Sequence, residues 1–167
     1  APLLFETLRT DPQPAVKHIA ITALADLRYL PAVPYLISLL DTKGQPAGVD
    51  PTVIVENLGR MRAEAAVPAL VTLLGEDNAN LRLKAQNALI EIRSPLSVGP
   101  LLALFAASPD GHLDREIAAV LGAVPDPRGI EVLLSLVVKN NSPGQIAAVF
   151  ALGEMRYTPA AATLLSV

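Results

Sequence analysis

Two imidazoles are the first candidates for chemistry in this sequence: His18 and His112 are its only histidines in 167 residues. Zinc and related metals need several ligands at fixed spacing, as in H-x-x-x-H or H-E-x-x-H. Neither histidine stands in such a pattern, and both are expected on the surface of first helical turns. Cysteine is absent, which removes thiolate ligands, disulfides and thiol nucleophiles together. No Gly-x-Ser-x-Gly elbow presents a serine nucleophile. Gly59, Gly122 and Gly153 share one place in a recurring segment and read as packing positions, not as a phosphate-cradling loop. The carboxylates are scattered over turns and helix starts. No catalytic residue, metal site or cofactor is predicted.

Arginine is the charged residue that recurs in register. Arg28, Arg62, Arg93 and Arg156 occupy equivalent places, with Pro125 standing in the remaining one. One reading is a basic ridge with a rung missing. The other is structural: a cation near a helix C-terminus meets the negative end of the macrodipole and can bond the last carbonyls. Asp26, Glu91 and Glu154 sit two residues earlier and offer an acid–arginine ladder between repeats. Net charge is −3, with both signs interspersed. A general affinity for phosphates or anionic membranes needs a basic surface, and the sequence supplies none overall.

The elements that position these residues follow from internal repetition. Val33-Pro34 is echoed at Val67-Pro68, Val98-Gly99, Ile130-Glu131 and Ala161-Ala162, and Ala1-Pro2 is in the same phase. Three residues after each anchor stand Leu4, Leu36, Leu70, Leu101, Leu133 and Leu164. Seven after come Leu8, Leu40, Leu74, Phe105 and Val137. This i, i+3, i+4, i+7 stripe defines a helix, B. A second stripe precedes each anchor and defines helix A: Ala20, Leu24 and Leu27 in one copy, Ile54, Leu58 and Met61 in the next. Asp11-Pro12, Asp50-Pro51 and Ser142-Pro143 place a capping side chain ahead of proline at the start of A. Ser94-Pro95, Asp126-Pro127 and Thr158-Pro159 do so for B. Proline lacks an N–H where the first turn has no use for one, which reconciles 15 prolines with a helical chain.

The predicted fold is all-α: a right-handed α-solenoid of stacked two-helix repeats in a single domain, 1–167. A half repeat covers 1–9, and five pairs follow near 11–41, 50–75, 77–107, 109–138 and 142–167. The Gly- and Pro-rich stretch 41–50 reads as a surface loop within the array. Hydrophobic residues make up 51% and aromatics 4%, so the core must be built from Leu, Val, Ile and Ala. No uninterrupted apolar run of about 18 residues predicts a membrane span. The N-terminus lacks the pattern of a signal peptide; the compartment is left open, with the cytoplasm slightly favoured.

The cadence Asn57-Leu58-Gly59-Arg60-Met61 with Ala66 to Leu74, and again Ala151-Leu152-Gly153-Glu154-Met155, resembles the HEAT-like repeat of the phycobilisome (PBS) lyase class. The resemblance covers essentially the whole chain and implies an armadillo-like superhelix. It is specific for fold and not for function. The adjacent His-Glu pairs of HEAT-repeat iron hydroxylases are absent.

One A/B pair cannot bury its own stripe, so neighbours must stack, leaving an elongated surface in place of a deep cavity. The expected role is a non-catalytic protein–protein interaction scaffold that binds a peptide or protein on the concave face of the B helices. Tyr35, Ser38, Ala69, Thr72, Ala103 and Ser135 form a small, weakly polar column there. The same small residues could equally serve to let a curved inner surface pack. A bilin lyase or chromophore-handling subunit is the alternative that the resemblance implies, with Tyr29, Tyr35 and Tyr157 as its only phenols. A HEAT-like nucleic-acid-binding protein is a further alternative, disfavoured by the acidic balance and the absence of Trp. Leucine faces left open at both ends predict self-association, or a piece of a longer array.

Overall fold

The computed structural model describes residues 1–40, 48–138 and 143–159, and among these the regular structure is helical, with no strand. The α-helices are α1 (Pro2–Thr10), α2 (Pro14–Asp26), α3 (Val33–Leu40), α4 (Pro51–Arg60) and α5 (Val67–Leu74). They continue as α6 (Ala79–Ile92), α7 (Val98–Ala107), α8 (Asp114–Ala123), α9 (Pro127–Val137) and α10 (Pro143–Glu154). Short 3-10 turns at Leu30–Ala32, Glu64–Ala66 and Pro95–Ser97 lead A helices into B helices. The expected helix B around Ala161 and Leu164, the cap Ser142 and most of the 41–50 loop lie outside the described residues.

The chain forms two compact units, Ala1–Ile92 and Arg93–Val167. In the first, α2, α4 and α6 are the A helices and pack in that order, while α1, α3 and α5 are B helices laid against them. In the second, α8 and α10 are A helices in contact with each other, accompanied by the B helices α7 and α9. Each unit thus has the two-helix-repeat architecture of an α-solenoid, as the periodicity predicts.

Helix starts follow the proline rule with one shift. Asp50 accepts from the Thr52 N–H at 2.8 Å and caps α4. Asp126 accepts from the Arg128 N–H at 2.9 Å and caps α9. Ser94 caps the 3-10 turn ahead of α7. Asp11, read as a cap of helix A, instead accepts from the Gln13 N–H in the turn before it. Helix α2 begins at Pro14, with Gln13 in the capping place, because the second proline takes the first helical position.

Of the predicted helix-B stripe, Leu36, Leu70, Leu101 and Leu133 are buried, while Leu4, Leu40 and Phe105 are half-buried. Leu24, Leu58, Leu89, Leu121 and Leu152 are all buried, as are Ala20, Ile54, Ala85, Ile117 and Ala148. Leu27 departs from its column: it is 58% exposed where Met61, Ile92 and Val124 are buried. Helix α2 is the first A helix and has an A-type neighbour on one side only.

The close approach of A helices rests on missing side chains. A Cβ on Gly59 would lie 2.8 Å from the Ala88 Cα, and one on Gly122 would lie 2.5 Å from the Ala151 Cβ. Those two glycines are packing positions. Gly153, from the same column, meets nothing within 4 Å, because it is exposed on α10.

Candidate interaction surfaces

The column expected to line the B-helix face is largely open to solvent. Ser38, Thr72, Ala103 and Ser135 are exposed, while Tyr35 and Ala69 are half-buried. Its hydroxyls are turned inward. Ser38 Oγ donates to the Tyr35 carbonyl at 2.7 Å, Thr72 Oγ1 to the Pro68 carbonyl at 3.1 Å, and Ser135 Oγ to the Val132 carbonyl at 2.7 Å. Each hydroxyl hydrogen is therefore spent within its own helix, and only the oxygen lone pairs remain for an outside group.

One feature of this face was not legible by column. Phe5 of α1 meets the Tyr35 ring edge-on, with centroids 5.8 Å apart, and the Tyr29 ring at 6.1 Å. The Arg9 guanidinium lies 5.9 Å from the Phe5 centroid, within cation–π range. Half of the six aromatic residues of the chain thus gather at one point of the first unit.

The arginine column is a backbone feature first. Arg28, Arg62, Arg93 and Arg156 have φ of 46°, 52°, 51° and 50°, and they are the only positive-φ residues other than glycine among those described. Three of the turns carry the same two bonds. The Arg28 N–H donates to the Ala25 carbonyl and the Tyr29 N–H to the Leu24 carbonyl, both at 2.9 Å. Arg62 and Ala63 repeat this onto Gly59 and Leu58, and Arg156 and Tyr157 onto Gly153 and Leu152. This is the Schellman cap, in which the left-handed residue is usually glycine. A left-handed conformation costs a residue with a Cβ roughly 1–2 kcal/mol. The macrodipole returns about 0.3–1 kcal/mol to an exposed cation at a helix end. Arginine is thus a costlier choice than glycine for the turn itself. Pro125 cannot adopt positive φ, and α8 accordingly ends with Val124 extended.

The acid–arginine ladder takes a different arginine from the one expected. Asp26 pairs with Arg60 of α4, and Glu56 of α4 with Lys84 of α6. Among the described residues, Arg28, Arg62, Arg93 and Arg156 are all exposed and form no ion pair. Asp26 and Arg60 meet because both stand in the last turn of stacked helices, α2 and α4.

The histidines also sit differently from expectation. His18 is half-buried, one turn further into α2 than a first-turn residue, and its Nε2 accepts from the Asp50 N–H at 3.1 Å. His112 precedes α8 and contacts Asp110 at 2.7 Å. That bond holds the Asp110 carboxyl below its ordinary range. The hydroxyl and N–H of Thr52 do the same for Asp50, and the side chain and N–H of Arg128 for Asp126. Each shift has a local capping or pairing cause. A shallow open cleft of about 410 Å³ runs beside His18, Ile19, Thr22 and Asp26 to Val53. Among the described residues no three His, Asp or Glu side chains converge as a metal site would require, and no helix is long and apolar enough to cross a membrane.

Comparison with known proteins bears on the repeat directly. The family model for the PBS lyase HEAT-like repeat matches residues 16–42, the stretch that holds most of α2, its Schellman cap and α3. Residues 16–42 thus carry a HEAT-like repeat of the PBS lyase class. No curated protein matches the chain. Among solved structures, the chain is similar to a crystal structure of an engineered protein at 20% identity. That alignment covers 90% of this chain and 78% of the other, with a TM-score of 0.50. At that identity the likeness carries the fold alone.

Proposed function

We propose that this protein is a non-catalytic interaction module that holds a peptide or protein partner on the exposed face of its B helices. The observation that carries the reading is the inward turn of the Ser38, Thr72 and Ser135 hydroxyls. A column whose serine and threonine donors are satisfied and whose residues carry no charge suits broad contact by shape and apolar area. It does not suit the binding of one small polar substrate, which needs convergent polar groups. The half-buried aromatic group of Phe5, Tyr29 and Tyr35 supplies the kind of anchor that dominates protein interfaces.

The test is a capture experiment with the whole chain and a Tyr35→Arg/Thr72→Arg variant of unchanged helicity. A protein retained by the parent and lost by the variant supports the reading. Equal capture by both sinks it. Mixing with a bilin is expected to leave the bilin spectrum unchanged.

A further inference from the structure

We propose that Arg28 and Arg62 form a docking point for a carboxylate-bearing segment of a partner protein, on the edge of the first unit where α2 and α4 turn toward their B helices. This surface adjoins the aromatic end of the B-helix face at Tyr29 but uses none of that face's residues.

Two observations carry the proposal. The first is the left-handed backbone at both positions, which favours glycine and whose cap is made by main-chain atoms alone. The turn does not need the arginine side chain, so the side chain is free for another role. The second is the state of the surrounding charges. Asp26 and Glu56, the carboxylates on the same helices, are engaged by Arg60 and Lys84, and the exposed Glu64 of the following 3-10 turn forms no ion pair with Arg62. Arg28 and Arg62 are exposed and unpaired among the described residues, so two planar donor forks face solvent on neighbouring helices.

The spacing suits a particular kind of acid. Packed helices stand about 8–10 Å apart. Carboxylates three residues apart on a polyproline II segment repeat on one face every ~9 Å. Guanidinium binds carboxylate in a bidentate fork, which gives orientation as well as charge. A nucleic acid would present phosphates at comparable intervals, but a chain of net charge −3 repels an extended polyanion. A short acidic segment meets only the local pair.

The experiment uses fluorescence anisotropy with the full chain and a labelled peptide of repeated Glu-Pro-Pro. The expected result is salt-sensitive binding that weakens roughly three- to tenfold in the Arg28→Gly/Arg62→Gly variant. Glycine keeps the left-handed cap, so the variant should melt no lower than the parent. Ser38→Ala/Thr72→Val, which adds no charge and leaves the aromatic group intact, should leave peptide binding unchanged, which separates this edge from the B-helix face. The proposal is overturned by absent binding, by equal binding in the glycine variant, or by equal binding of a Gln-Pro-Pro peptide. It also fails if oligothymidine displaces the peptide more readily than free Glu-Pro-Pro does, or if the glycine variant melts lower.

Discussion

Gly122 of α8 stands so close to Ala151 of α10 that a Cβ in its place would lie 2.5 Å from the alanine Cβ. Gly59 and Ala88 repeat the relationship between α4 and α6 in the first unit. In these two pairs the A helices therefore touch nearly backbone to backbone, and a single methyl group must push them apart. Gly59→Ala and Gly122→Ala should each destabilise by about 1–3 kcal/mol. Gly153→Ala, with open space around it, should be neutral or stabilising by up to ~1 kcal/mol, since alanine is the better helix former. Urea unfolding of the three variants decides: equal losses at 122 and 153 would refute the close-approach argument.

Leucine columns make a second contrast. Leu58 is fully buried, whereas Leu27, also apolar and on the core stripe by sequence, is 58% exposed. Leu58→Ala should cost about 2–5 kcal/mol through lost transfer energy and a residual cavity. Leu27→Ala should cost under ~1 kcal/mol. Comparable losses in thermal melts would mean that Leu27 is covered in solution, as self-association would do.

The repeat is legible in the sequence because each leucine column reports burial on one face, and burial needs only periodicity to be seen. Cap prolines are legible for a similar reason: Asp50-Pro51 and Asp126-Pro127 fix φ and supply an acceptor in two adjacent residues. Asp11 misleads because a second proline at 14 competes for the same role. The left-handed turns stay hidden, since glycine or asparagine is the usual signal and this chain writes arginine there. Recurrence of arginine just past the ends of α2, α4, α6 and α10 was the only clue, and it pointed to charge before backbone. The Phe5–Tyr35 contact joins α1 to α3 across the intervening α2, a relationship that no column of equivalent positions can express. Surface roles for Tyr35 and Thr72 rest on exposure, which periodicity gives only by subtraction.

Asp50 links pH to the start of α4. Its carboxylate accepts from the Thr52 hydroxyl and the Thr52 N–H, both at 2.8 Å, and these bonds lower its pKa from 3.8. A carboxyl that is more acidic folded than unfolded adds stability that is complete above the unfolded value and lost as pH falls through the lower, folded one. Asp50→Ala should cost about 1 kcal/mol at neutral pH, and the gap to the parent should close below pH 3.8. Urea midpoints across that range provide the check, and a gap undiminished in acid would assign the effect to something other than the ionised cap.

Arg60 reaches from α4 to Asp26 of α2 and also donates from Nη1 to Asn57 Oδ1 at 3.1 Å. Asn57 in turn donates to the Val53 carbonyl at 2.8 Å. The charged pair is the conspicuous part of this chain of bonds, but its side chains are 41% and 56% exposed. Water and salt screen such a pair, so a double-mutant cycle of Asp26→Ala and Arg60→Ala should give a coupling of about 0.2–1 kcal/mol that fades in high salt. Asn57 is 4% exposed, and removing its amide strips a buried hydrogen bond and leaves a small void. Asn57→Ala should therefore cost more, about 1–3 kcal/mol, and the loss should persist in salt. A salt-resistant coupling larger than the Asn57 loss would reverse the ranking and make the ion pair the principal fastening between α2 and α4.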